Sequence, residues 1–351
     1  MPESTVVRLR NAVRAAPART ASLRPFTSQG LLGVARLPLH GGGALERAVV
    51  AWRLVGPAGA PVVAALGGIS AGRTACDLED PSRGWWRELV GPGRPLDTDR
   101  YAVLGIDWLG GTGASSAPMP GQADFPDIDA RDQAAALLAV CDWLGIAHLH
   151  AVAGASYGGM VGLSLAEIAP TRVGSVLAIS AAHRSNALAT GWRSVQRAIV
   201  RHSLALGDGR GGLALARALA MTTYRTRAEL ERRFPVHGTS GSRSQDFAVE
   251  QYLLARGAAY ADATRPECFL CLSESIDRYR ADPARVRVPV HLVAIAQDQL
   301  VTPVEIRELA GMLAGPVVLH ELQSEFGHDA FLKETELLAP AFRAALEGET
   351  T

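Results

Sequence analysis

Apolar runs of six to eight residues recur along the chain, each closed by glycine, proline or polar residues. Residues 61–66, 101–106, 148–153 and 175–180 are of this kind, and the pattern returns at 289–296 and 316–322. Such short runs, lacking polar alternation, predict strands buried on both faces. Residues 33–39 and 48–55 come before them and can pair antiparallel at the start of a sheet. Between the strands the period lengthens. Residues 128–144 put Ala134, Leu137, Leu138, Cys141 and Leu144 on one helical face. Residues 159–168 and 302–314 also read as helices, and a last helix begins near Phe331. Strands alternating with helices predict an α/β architecture with a mostly parallel sheet covered on both faces.

From about residue 183 to 282 the strand-like runs vanish. Helical segments rich in Ala, Leu, Arg and Glu replace them, broken at 207–212 and at a polar loop over 238–244. The chain therefore divides into four parts: a flexible N-terminal tail (1–26), a first core segment (27–182), a helical lid insertion (183–285) and a second core segment (286–351). The tail carries Arg8, Arg10, Arg14, Arg19 and Arg24 against Glu3 and lacks a secretory apolar core.

Composition narrows the function classes. With 351 residues, 48% hydrophobic and 20% charged, the chain can bury a large core. Its formal net charge is zero, which gives no reason to expect nucleic acid or an anionic membrane as partner. The longest apolar stretch, 49–66, is broken by Arg53, Gly56, Pro57, Gly59 and Pro61, so no span is expected. Cys268 and Cys271 have C-x-x-C spacing, with no second pair and no histidine cluster nearby. They read as buried thiols in a reducing cytoplasm, not as a metal site.

The chemistry centres on Gly154-Ala155-Ser156-Tyr157-Gly158, set between a predicted strand and a predicted helix. Strand, G-x-S-x-G, helix is the nucleophile-elbow arrangement of the α/β-hydrolase fold, in which the acid and then the histidine follow later in the chain. Asp298 follows the run ending at Ala296, and His328 follows the run ending at Leu322. Ser156 would attack, His328 would shuttle its proton, and Asp298 would orient the imidazole. Each has a plainer alternative: Ser156 as a helix N-cap, Asp298 as a turn residue, His328 as a loop histidine. Oxyanion donors would be the backbone N–H groups of Tyr157 and Leu66.

Further motifs fall in a fixed order. They are Ala65-Leu66-Gly67-Gly68-Ile69-Ser70, Gly84-Trp85-Trp86, Val90-Gly91-Pro92-Gly93, Leu96-Asp97-Thr98-Asp99-Arg100 and Asp107-Trp108-Leu109-Gly110-Gly111. Then come the Ser156 elbow, Leu215-Ala216-Arg217, Thr223-Tyr224-Arg225 and Gly327-His328-Asp329. Over residues 30–339 the chain resembles the homoserine O-acetyltransferase family of α/β-hydrolase-fold acyltransferases. The resemblance implies acyl transfer from acyl-CoA to the hydroxyl of L-homoserine, in methionine biosynthesis. It implies a cytoplasmic homodimer joined through lid helices, with acyl-CoA as cosubstrate and no metal or bound organic cofactor. It also implies that Arg217 holds the substrate carboxylate and Asp329 its ammonium. A free amino acid needs such a cation and anion, and arginine's fork suits a carboxylate.

The family pattern is not matched throughout. Acetyl-transferring members usually have Leu-Thr-Gly in the first oxyanion loop and Ser-Met-Gly-Gly at the elbow. Leu66-Gly67-Gly68 and Ser156-Tyr157-Gly158-Gly159 stand here. Succinyl-transferring members often carry arginine two residues after the catalytic aspartate, where this chain has Leu300. Taken alone, Leu300 favours acetyl-CoA, while Arg73 and Arg184 lie near motifs expected to border the pocket. Two alternatives within the same catalytic logic are a serine O-acyltransferase and an esterase or lactone hydrolase. An inactive binding module on the same fold is the remaining one.

Overall fold

The computed structural model describes residues 5–8, 25–122, 124–235 and 247–348. The first strands are β1 (Thr5–Arg8), β2 (Pro25–Pro38), β3 (Ala44–Pro57) and β4 (Val62–Leu66). They are followed by β5 (Val90–Gly91), β6 (Leu96–Asp97), β7 (Ala102–Ile106) and β8 (Ala151–Ala155). Next are β9 (Val176–Ile179), β10 (Val290–Ile295) and β11 (Val317–Leu322). Nine of these form one sheet in the order β1-β11-β10-β9-β8-β4-β7-β3-β2, and β5 pairs β6 apart from it. Neighbours from β11 through β7 are parallel, while β1, β3 and β2 run antiparallel to theirs. The expected antiparallel start is therefore the β2–β3 hairpin. Both of its strands are longer than their apolar runs, because ladder pairing continues through polar residues on a hairpin's solvent side.

Side chains on the parallel strands alternate between two cores. Ala64, Leu66, Leu104, Val152 and Leu292 pack on one face with α1 (Ala130–Trp143), α2 (Tyr157–Ile168) and α8 (Pro303–Met312). Val63, Ala65, Val103, Ala153 and Val293 pack on the other with Trp86 and α9 (Thr335–Glu347). The period of two along a strand, with apolar residues on both sides, is what made these runs read as continuous. Helix α1 opens on a capping box between Asp129 and Asp132, which satisfies two of its free N-terminal donors.

The last helix starts at Thr335, not near Phe331. Phe331 lies in a 3-10 turn, Gly327–Leu332, that begins at left-handed Gly327 (φ 56°). That tight turn folds the chain back toward the sheet before α9 begins. The segment expected as a tail contributes β1, whose Thr5 pairs opposite Glu321, and β2 already begins at Pro25. Residues 1–4 and 9–24 lie outside the described residues, as does the polar loop expected at 238–244.

Among the described residues, five helices lie between β9 and β10: α3 (Ala187–Ala205), α4 (Gly209–Tyr224), α5 (Arg227–Arg233), α6 (Ala248–Ala263) and α7 (Pro266–Arg278). They have a core of their own, built from Val200, Leu213, Ala216, Ala261 and Phe269. The two stems of the insertion meet through a bridge between Arg184 and Arg280, and the Ala281 N–H donates to the His183 carbonyl at 2.9 Å. Among the described residues no helix is long and apolar enough to cross a membrane.

The β8–α2 junction leaves no room for side chains. A Cβ at Gly158 would lie 2.1 Å from the Leu66 carbonyl oxygen, and one at Gly154 would lie 2.3 Å from the Gly158 oxygen. Gly158→Ala should therefore destabilise the protein by about 2 kcal/mol or more, since rigid backbone must move. Gly33→Ala, where a Cβ meets nothing within 4 Å, serves as control. Urea unfolding of the two variants checks this, with a lowered midpoint expected for Gly158→Ala alone.

Candidate active site

Ser156 sits between β8 and α2 with φ 52° and ψ −118°, a conformation seldom adopted by a residue with a side chain. Its N–H donates to the Ile179 carbonyl at 2.8 Å, which ties the elbow to β9. The hydroxyl makes no capping bond to α2, so the N-cap alternative does not hold. Instead Oγ lies 2.9 Å from Nε2 of His328. On the far side of the ring, Nδ1 lies 2.7 Å from Oδ2 of Asp298. Asp298 Oδ1 accepts from the N–H groups of Leu300 (2.9 Å) and Val301 (3.1 Å), which fixes the carboxylate's angle. The three residues thus form one hydrogen-bonded line at the C-terminal ends of β8, β10 and β11.

Burial works against a charged imidazole at His328, but the charge of Asp298 and its hydrogen bond outweigh it and raise the pKa above the usual 6.5. Asp329 raises it further, and Arg193 lowers it. A neutral imidazole can accept a proton from Ser156, and the imidazolium so formed is stabilised by Asp298. The arrangement is suited to covalent acyl chemistry. The Leu66 and Tyr157 positions are also adjacent: Leu66 pairs with Gly154 across β4 and β8, and its carbonyl packs against Gly158. Tyr157 is the first residue of α2, and a helix does not bond its first amides internally.

A cavity of about 190 Å³ opens over Ser156 and His328. Helices α3, α4 and α7 of the insertion roof it. Arg217, Asp329 and Leu300, all singled out from the sequence, line it. The Arg217 guanidinium lies over the rings of Tyr224 (5.1 Å) and Tyr260 (4.6 Å). Tyr224 in turn faces the His328 ring, with centroids 6.0 Å apart. Asp329 pairs with Nε of Arg225 at 3.1 Å, and Arg225 also binds Glu229. A second cavity, of about 320 Å³, adjoins the first and shares Ile69, Ser70, Ala71 and Phe269 with it.

The two other arginines considered lie elsewhere. Arg73 is held by Asp107, and Arg184 reaches Glu308 at the surface. Arg193 lines the cavity instead, and the sequence did not single it out. Its i, i+4 partner Arg197 is visible in the sequence, but that spacing reads equally as a solvated helix face.

The family model for the α/β-hydrolase fold matches residues 72–335. The chain is 41% identical over 320 residues to the homoserine O-succinyltransferase of Xanthomonas campestris pv. campestris, covering 90% of this chain and 84% of the relative. It is 35% identical to the serine O-succinyltransferase of Litchfieldella anticariensis, covering 76% and 82% respectively. The solved homoserine O-acetyltransferase of Bacillus anthracis superposes with a TM-score of 0.84 at 17% identity, covering 93% of this chain and 99% of that one. The chain belongs to the homoserine O-acyltransferase family of the α/β-hydrolase fold, and it is an acyltransferase.

Proposed function

We propose that the protein transfers an acyl group from acyl-CoA to the hydroxyl of L-homoserine through an acyl-Ser156 intermediate. One observation carries this reading: Ser156 and His328, backed by Asp298, line one cavity together with the cation Arg217 and the anion Asp329. In the first half-reaction His328 Nε2 takes the Ser156 proton as Oγ attacks the thioester carbonyl. The Leu66 and Tyr157 amides steady the oxyanion. The C–S bond then breaks, and CoA leaves as the thiol with the proton from His328. In the second half-reaction His328 takes the proton of the homoserine hydroxyl, whose oxygen attacks the acyl ester. Ser156 departs and recovers its proton. The product is O-acylhomoserine, an intermediate on the route to methionine.

In this reading Arg217 holds the acceptor's carboxylate and Asp329 its ammonium. Tyr224 and Tyr260 fix the guanidinium plane without neutralising it. The adjoining cavity suits the pantetheine arm of the donor. The helical insertion acts as a lid that keeps water from the acyl-enzyme, which separates this reading from a hydrolase. No metal is required. Dimerisation through the insertion and a cytoplasmic location complete the proposal.

Ser156→Ala should lower transfer by about 10⁴-fold or more and abolish the acyl-enzyme seen by intact mass. CoA release by the wild-type enzyme should depend on homoserine, and equal release without it would favour the hydrolase reading. Serine should be the poorer acceptor, because one methylene is worth about 1–3 kcal/mol in a fitted pocket.

Activity requires neutral His328, so kcat/KM should fall as pH drops through its pKa, above 6.5. Asp298→Asn removes the charge and the charged hydrogen bond that raise this pKa most, leaving only the smaller effect of Asp329. The acid limb should move to lower pH while the plateau falls by about 10³–10⁴-fold. A pH–rate profile of both proteins checks the direction.

Arg217→Gln should lower kcat/KM for homoserine by about 10–100-fold, the worth of a charged hydrogen bond. Acylation of Ser156 by donor alone, followed by intact mass, should persist. Steady-state kinetics with homoserine varied provides the check.

A further inference from the structure

Arg193, on α3, lines the same cavity as Ser156 and Leu300. Its Nε and Nη2 bond one oxygen of Asp277, at 3.0 and 2.7 Å, and Nη2 also reaches Ser185. Its Nη1 makes no hydrogen bond among the described residues. The other oxygen of Asp277 is taken by Arg197 Nη1 at 2.6 Å. Two guanidinium groups therefore share one carboxylate, and the cluster is left one positive charge in excess. Both arginines are largely buried, with side chains 13% and 9% exposed. An unmatched charge there is unfavourable unless a ligand completes it.

The remaining charges of the cavity do not complete it. Arg217 faces aromatic rings, not a carboxylate. Asp329 shares Arg225 with Glu229 and, in the reading above, meets the acceptor's ammonium. Asp298 is matched to the imidazolium that forms on His328. Arg217, without a carboxylate, and Arg193, which shares Asp277 with Arg197, thus both leave positive charge at the cavity, yet an amino-acid acceptor brings only one carboxylate. The CoA phosphates sit a pantetheine arm away from the thioester, so the acyl group is the part of the donor that can bring a second anion beside Ser156. Leu300 and Arg193 are linked structurally as well: the Leu300 carbonyl accepts from Asn186, the N-cap of α3. A cation on α3 can therefore serve the cavity where Leu300 offers none.

Resting on the acyl-Ser156 reading above, we infer that the donor is an acyl-CoA ending in a carboxylate, namely succinyl-CoA, and that Arg193 Nη1 binds this terminal carboxylate. Arg193 is then the residue that sets donor choice, with Asp277 positioning it. Leu300, which taken alone favours acetyl-CoA, does not decide the matter.

The test compares succinyl-CoA, acetyl-CoA and butyryl-CoA at saturating homoserine. Butyryl-CoA matches the succinyl chain length without its charge. Wild-type kcat/KM should favour succinyl-CoA over both by about 10–100-fold, the scale of a charged hydrogen bond. Arg193→Gln should collapse that preference by a similar factor, and Arg193→Lys should restore part of it. Arg193 also links α3 to α7, so Asp277→Asn is the structural control. It breaks the Arg193–Asp277 and Arg197–Asp277 pairs but keeps the Arg193 cation, so part of the succinyl preference should remain. If Asp277→Asn loses the preference as fully as Arg193→Gln, or if butyryl-CoA or acetyl-CoA matches succinyl-CoA in the wild type, the inference is overturned while the acyltransferase reading stands. Failure of every donor to acylate Ser156 would instead overturn the acyltransferase reading itself.

Discussion

The strained backbone of Ser156 is the constraint on which the site depends. A residue with a side chain at φ 52° holds that conformation only when its surroundings leave no alternative. Here β8 enters the turn and α2 leaves it, with both ends fixed by backbone contact too close for any side chain at Gly154 or Gly158. The bond from Ser156 N–H to Ile179 fixes a third point. The strain aims the hydroxyl away from its own helix, whose first amides then remain open for an oxyanion. A relaxed elbow would let the serine cap α2 and would leave His328 without its partner.

The second constraint is charge in a space with little water. His328, Asp298 and Asp329 are all largely buried. The His328 ring is held between Asp298 and Ser156, with the Tyr224 ring tilted toward it and Phe331 in a perpendicular, edge contact. Buried ions are tolerated when they are paired or shared. Arg225 does this for Asp329 and Glu229, and Asp277 does it for Arg193 and Arg197. Such sharing holds side chains at fixed angles and leaves defined charges to be met by ligands.

The two halves of the chemistry rest on different parts of the fold. The proton relay stands on strand ends of the sheet, which two apolar cores hold rigid. The walls that meet the substrates come from α3, α4 and α7, which pack on a smaller core of their own. Substitutions in that smaller core can reshape the pocket without moving Ser156 or His328. That division suits a family whose named members differ in donor and acceptor.

The sequence alone determined the parallel sheet, the helical insertion, the order of Ser156, Asp298 and His328, and the candidacy of Arg217 and Asp329. The sheet, the insertion and the triad were legible because they rest on local signals: apolar period, glycine spacing around a serine, and residues following strand runs, while Arg217 and Asp329 became candidates through the resemblance of short motifs to a known family. Only the tertiary structure decided that the Ser156 hydroxyl leaves its helix, that Phe331 belongs to a tight turn and not to α9, and that Arg73 and Arg184 are taken up by Asp107 and Glu308. It also decided that Arg193 reaches the cavity, because its partner Asp277 lies 84 residues away and no spacing rule links the two. Ion-pair partners and cavity walls are long-range facts. They depend on how helices pack across the insertion, and a one-dimensional pattern does not carry that geometry.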